Sequence, residues 1–311
     1  MPLPQSLQGR LKAPIIAAPM FLTSGPDLVV ETCRSGLLGT FPALNQRTSE
    51  GYAAWLDEIE QRLAEFPETA PFGVNLVVHR SNPRLAADLE LTVKHKVPLI
   101  ITSLGAANEV VEAVHSYGGV VFHDVIGFRH AEKAVAAGVD GLIAVCAGAG
   151  GHAGTLSPFA FIPELRAMFD GTVILGGCIS NGRQVAAARM LGADLAYLGT
   201  RFIATRESFA PQGHKQMIID GRASDIVYTP AVSGVHGNFL KPSLLAHGID
   251  EEAMASPAKL DFGTDGEARA WKTLWSAGQG VGAIDDIPAA AELCARLIAE
   301  YNQALRLPEA A

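Results

Sequence analysis

A (β/α)8 barrel of the TIM type, with a small lobe inserted after strand 8, is the α/β fold this sequence predicts. Three observations carry that expectation. Short, almost continuous apolar runs alternate with longer stretches at helical spacing, eight times in about 200 residues. The runs are apolar on both faces, as parallel strands covered by helices must be. Glycine recurs where helices should stop, as in Ala136-Ala137-Gly138-Val139-Asp140 and Met190-Leu191-Gly192-Ala193-Asp194, because the residue after a helix favours a left-handed backbone. An open doubly wound sheet carries roughly five or six strands and fits less well.

The expected strands are residues 15–20, 37–43, 72–78, 99–104, 120–125, 141–146, 172–175 and 195–202. Helical spacing covers 27–34, 52–65, 84–96, 109–116, 129–137 and 182–191. Asp140 and Asp194 would begin strands at the barrel's stability face and read as structural. Residues 203–311 are far more than one closing helix needs. Residues 289–305 have that helix's amphipathic spacing, whereas 209–262 have weak periodicity, several prolines and glycines, and the string Val232-Ser233-Gly234-Val235-His236-Gly237. The expected division is a barrel of 1–205 plus 265–311, with a lobe of 206–264 near its C-terminal face.

Composition removes several function classes. The chain is 49% hydrophobic and 18% charged, with 24 Lys+Arg against 32 Asp+Glu, too apolar for disorder. No basic cluster exists to displace counterions, so nucleic acid is not an expected partner. No apolar run approaches the length of a membrane span and no secretory leader is evident, so the expectation is no membrane association. Cys33, Cys146, Cys178 and Cys294 form no C-x-x-C pair and read as small buried hydrophobes in a cytoplasmic protein. The nine histidines show no ligand spacing, so no metal is expected.

Chemistry in such a barrel belongs to residues just after each strand. Gly176-Gly177 and Gly199-Thr200 lie about one βα unit apart, where loops seven and eight commonly bind phosphate. Glycine lets backbone N–H groups approach an oxyanion, and a helix beginning near Asn181 would aim its dipole at the same point. Tight turns without a ligand are the other reading. Gly148 to Ala153 contains G-x-G-x-x-A, but Pro158 and Pro163 interrupt the helix a dinucleotide fingerprint requires. A flexible glycine loop presenting His152 is the expectation, since histidine titrates nearest neutrality. Met20 and Asn75 suit the face and polar edge of a planar ring, though each equally suits core filling. Trp275-Ser276-Ala277-Gly278-Gln279-Gly280 adds a small-residue turn bearing an amide.

Together, Ala18-Pro19-Met20, Gly73-Val74-Asn75, Gly150-Gly151-His152, Leu175-Gly176-Gly177, Gly199-Thr200-Arg201-Phe202 and Trp275-Ser276-Ala277-Gly278 resemble the nitronate monooxygenase (2-nitropropane dioxygenase-like) family of FMN-dependent barrels. The similarity extends from Pro14 to about Leu293. It implies that Gly176, Gly177, Gly199 and Thr200 hold the FMN phosphate. Pro19, Met20, Asn75, Gly150 and Gly151 would line the ring and ribityl chain, with Gln279 and Asp124 close by, and His152 would be catalytic. The implied reaction oxidises an alkyl nitronate or nitroalkane with O2 to a carbonyl compound and nitrite, through a flavin semiquinone. His152 could act as a cation holding the anion or as a neutral base. Two departures stand out: relatives often carry Lys or another donor where this chain has His123-Asp124, and the nitronate branch commonly has Gln-Gly where it has Val145-Cys146. The resemblance also extends to NAD(P)H-dependent flavin reductases of quinones or enoyl thioesters, so that use of NAD(P)H, like assembly as a homodimer, stays open.

Overall fold

The computed structural model describes residues 3–66, 68–105, 108–256 and 273–306. Eight parallel strands close into a barrel. They are β1 (Ile15–Ala17), β2 (Leu38–Pro42), β3 (Phe72–Val77), β4 (Leu99–Ser103), β5 (Val120–Val125), β6 (Gly141–Val145), β8 (Thr172–Gly176) and β9 (Leu195–Leu198). A two-residue strand, β7 (Gly151–His152), lies in the loop after β6, and β1 pairs with β9 to complete the circle. Helices α1 (Pro26–Arg34), α2 (Ser49–Ala64), α3 (Leu85–Lys94), α4 (Asn108–His115), α5 (Phe128–Ala136), α6 (Pro158–Met168) and α7 (Gly182–Met190) cover the outside.

Alternation along the strands sets the interior. Ile16, Leu38, Leu99, Ile101, Phe122, Ile143, Ile174 and Leu195 are all fully buried in one inner cluster. The opposite faces of the same strands pack under the helices in the larger core. A short 3-10 turn, Gln5–Leu7, inserts Leu7 into the inner cluster with Leu3 and Leu11 beside it. The bottom of the barrel is therefore stoppered by apolar side chains rather than open as a pore.

Both aspartates at the strand starts do the same structural work. Asp140 Oδ2 accepts from Val121 N at 2.8 Å and Asp194 Oδ2 from Val173 N at 2.9 Å. Each also donates its own amide to that neighbour's carbonyl. Gly138 and Gly192, with φ of +82° and +104°, make the preceding left-handed turns.

Three local expectations need correction. Pro158 and Pro163 do not interrupt a helix: α6 contains both. Pro158 occupies its first position, where no amide partner is lost. Strand eight ends at Leu198, and Thr200–Ile203 is a short helix, α8. The glycine loop after β6 is paired rather than flexible.

That pairing comes from the segment after α8. Helix α9 (Gln212–Asp220) leads to β10 (Ile226–Thr229) and β11 (Gly237–Leu240), then to α10 (Lys241–Ala246) and α11 (Glu251–Met254). Strands β10, β11 and β7 form an antiparallel sheet in that order. The expected lobe boundary at 264/265 lies outside the described residues. The C-terminal helix, Ala290–Ala304, packs against α7 and α1 and fills the last gap in the outer ring.

Candidate functional site

The candidate cofactor-site and catalytic residues lie at the C-terminal mouth of the barrel or in the loops above it, although each is used differently. Gly177 has φ +128°, a conformation only glycine adopts without strain. A Cβ there would press on Ala147 O at 3.3 Å and Ala149 N at 3.4 Å. Gly199 lies next to Met20, whose Sδ is 3.8 Å from where a Cβ would stand. Thr200 Oγ1 accepts from Gly278 N at 2.8 Å, which leaves its hydroxyl proton free to be donated. Among the described residues, no protein acceptor takes the amide protons of Gly177, Cys178, Gly199 or Thr200. Four unpaired N–H groups and one hydroxyl, just after neighbouring strands β8 and β9, are the kind of donor set an oxyanion needs.

The α7 terminus does not join them. Asn181 and Gln184 form a capping box, and Gly182 N donates to Glu300 Oε2 at 2.7 Å. A carboxylate of the C-terminal helix already meets that positive end. The helix does begin at the Asn181 cap as expected, but its first amides are taken up by protein groups.

Beside Gly199, at the end of β1, Met20 is buried in a turn held by Asn45. The Asn45 side chain accepts from Leu22 N at 2.8 Å and donates to Met20 O and Ser24 O. Pro19 is half-buried ahead of it. Asn75 Nδ2 donates to Ile101 O and to Ser103 Oγ at 3.1 Å, so its amide is fixed across β3 and β4. Asp124 continues the inner face of β5 above Phe122, with Tyr197 of β9 across the lumen. Burial pushes its carboxyl up to about 7.

His152 is held from several sides. In β7 it pairs with Gly237 of β11, and its Nε2 lies 3.0 Å from Ser233 Oγ. Ser233 donates its own proton to Val235 O at 3.2 Å. The Ser233 oxygen then accepts from the ring, which puts the proton on Nε2. Burial lowers the imidazole's pKa below the ordinary histidine value, favouring the neutral ring. The loop beneath is clamped by Asn238 Nδ2 donating to Ala149 O at 2.7 Å and by Gln279 N donating to Gly148 O at 2.8 Å. Gly150 makes room for the Ala277–Gly278 backbone: a Cβ would sit 2.8 Å from Gly278 N. The Gln279 side chain is exposed above Gly148.

Sequence reasoning missed Ser233, Asn238 and Asn45. Ser233 was visible only as part of an unusual string, and nothing local placed it beside a histidine 81 residues away. His123, by contrast, points away from the lumen: it bonds Thr102 Oγ1 at 2.7 Å, and burial lowers its pKa to about 4. Among the described residues, only Asp57, Glu60 and His95 bring three possible metal-ligand atoms together, on α2 and at the C-terminal cap of α3, outside the barrel.

A family model described as nitronate monooxygenase matches residues 84–300, more than half of the chain. The chain belongs to the nitronate monooxygenase family. A nitronate monooxygenase of Paraburkholderia phytofirmans is 27% identical over 344 residues, covering 94% of this chain and 93% of the relative. The (3aS,4S,5R,7aS)-5-hydroxy-7a-methyl-1-oxo-octahydro-1H-indene-4-carboxyl-CoA dehydrogenase of Mycobacterium tuberculosis is also 27% identical, over 241 residues. That match covers 76% of this chain, which spans 65% of the length of that relative. Among solved structures, nitroalkane oxidase from Streptomyces ansochromogenes superposes with a TM-score of 0.81 at 25% identity, covering 97% of this chain and 99% of the other. Members of this family are flavin-dependent oxidoreductases, and the cradle of unpaired amides beside Gly177 and Thr200 suits a flavin's phosphate.

Proposed function

We propose that this nitronate monooxygenase family member binds FMN in the barrel mouth and oxidises alkyl nitronates, or the parent nitroalkanes, with O2 to a carbonyl compound and nitrite. The observation that carries the reading is one mouth shared by the unpaired amides of Gly177, Cys178, Gly199 and Thr200 and by the neutral, serine-held His152. The amides and the Thr200 hydroxyl would hold the phosphate, while Met20, Asn75 and Gly151 would line the ring. FMN, when bound, supplies the one-electron chemistry with substrate and O2.

The protein's own part is binding, orientation and proton transfer. Ser233 fixes the imidazole plane by accepting from Nε2. With its pKa lowered by burial, the ring is neutral near pH 7 and suits a general base taking the α-proton of a nitroalkane. Partly exposed Leu104, Ile126 and Val235 stand on the loops around the mouth, an apolar rim for the alkyl part of a substrate. The test is direct. The purified protein should be yellow, or become so with FMN, and should release nitrite from a primary nitronate. A colourless protein that binds no FMN would refute the reading.

A second reading, an NAD(P)H-dependent reductase acting on a quinone or enoyl thioester, draws support from the dehydrogenase name of the Mycobacterium relative, whose printed substrate is a CoA thioester. Anaerobic mixing separates the two. Rapid bleaching of the flavin by NADH, with none by a nitronate, would replace the first reading with the second.

A further inference from the structure

Asp124 is the one acid on the lumen face of the strands that line the mouth. Val120 and Phe122 precede it on that face and belong to the inner cluster. The side chain is partly reachable from the mouth, but Oδ1 has no exposed surface and no hydrogen-bond partner. Around it, β4 brings Ser103 and β6 brings Ile143 and Val145, none of which titrates. Asn75 of β3 already directs its amide at Ile101 and Ser103. Tyr197 of β9 is the titratable group facing it, and burial, with Asp124 second, keeps the phenol protonated. His152 stands above the mouth on β7, and its imidazole is disposed to be neutral. No cation among these groups compensates a carboxylate, whose buried oxygen would lack both water and a donor.

Resting on the FMN reading, we propose that Asp124 acts as a neutral carboxylic acid and donates a hydrogen bond to the ring of the bound flavin. A carboxylate in that place would oppose the negative charge a ring acquires on reduction; the protonated acid favours it. The raised carboxyl, about 7, agrees with a proton held at neutral pH. Asp124 thereby couples both cofactor affinity and cofactor potential to pH.

The experiment measures FMN dissociation constants of wild type, Asp124→Asn and Asp124→Leu between about pH 5.5 and pH 9, with riboflavin as a phosphate-free control. One proton held in the complex predicts a wild-type constant flat below about pH 7 that rises about tenfold per unit above it. Asp124→Asn, whose amide still donates, should bind tightly without that rise, and Asp124→Leu should bind weakly at every pH. Riboflavin should reproduce the wild-type rise, which removes phosphate ionisation as its cause. The bound flavin's midpoint potential should fall in Asp124→Leu relative to wild type at about pH 6. A pH-independent wild type, a rise retained in Asp124→Asn, or a leucine variant that binds like wild type would overturn the proposal while the FMN site stands. Failure of all three proteins to bind FMN or riboflavin would overturn the FMN reading itself.

Discussion

Ser233 Oγ and His152 Nε2 stand 3.0 Å apart, joining a turn of the small antiparallel sheet to the loop after barrel strand β6. The serine's own proton is directed at Val235 O, so the bond sets the ring's tautomer as well as its plane. His152→Ala should keep FMN and lose about 10²–10⁴-fold in turnover of a neutral nitroalkane, the usual loss of a general base. Ser233→Ala should retain FMN and lose less, mainly in kcat. Steady-state nitrite release with the visible spectrum as a loading control checks both, and a wild-type rate in His152→Ala would remove the histidine from the mechanism.

The pH dependence follows from the direction in which burial moves His152. A base acts when unprotonated, so kcat/KM on a neutral nitroalkane should rise with pH and level off. Its midpoint should lie below the ordinary value of 6.5 for a histidine. Preformed nitronate should show no such rising limb, because no proton has to be removed. A midpoint above the ordinary value on the neutral substrate would contradict the assignment.

Gly177→Asp should yield protein without flavin. The substitution imposes a side chain at φ +128° and a carboxylate among amides that suit an anion. The absorption spectrum of the purified variant, before and after FMN addition, is the measurement. Normal flavin content would move the phosphate elsewhere.

Leu7→Ala should destabilise the chain by about 2–5 kcal/mol, the usual cost of emptying a fully buried leucine site. Denaturant unfolding followed by far-UV CD reads the change. Nitrite release by the folded fraction should remain intact, since Leu7 lies at the end of the barrel remote from the mouth.

The barrel was legible because its signals are local and redundant. Continuous apolar runs such as Leu99–Ser103 and left-handed glycines such as Gly138 and Gly192 each point to the same repeat. Helix α6 was not, because Pro163 inside a helix is locally unfavourable and only packing of Phe161, Ile162 and Leu165 into the core overrides it. Gly177 and Gly199, whose amides stand unpaired at the mouth, could be singled out from glycine chemistry, whereas the Glu300 side chain on Gly182 could not, since 118 residues separate them. Two-residue β7 carries no period to detect. Its partner β11 is alternating enough to be a strand, but nothing in either segment announces the other.

The sheet that holds His152 is built mostly from chain beyond the barrel, while the amide cradle is built from the turns just after strands β8 and β9 of the barrel itself. The proposed acid–base apparatus and the proposed cofactor seat are thus separate pieces of architecture joined at one short seam. Substitutions in β10, β11 or the turn containing Ser233 could retune which molecules are processed without disturbing the seat. A lineage using this plan would then diversify its chemistry by remodelling the overhanging sheet, with the floor beneath it inherited unchanged.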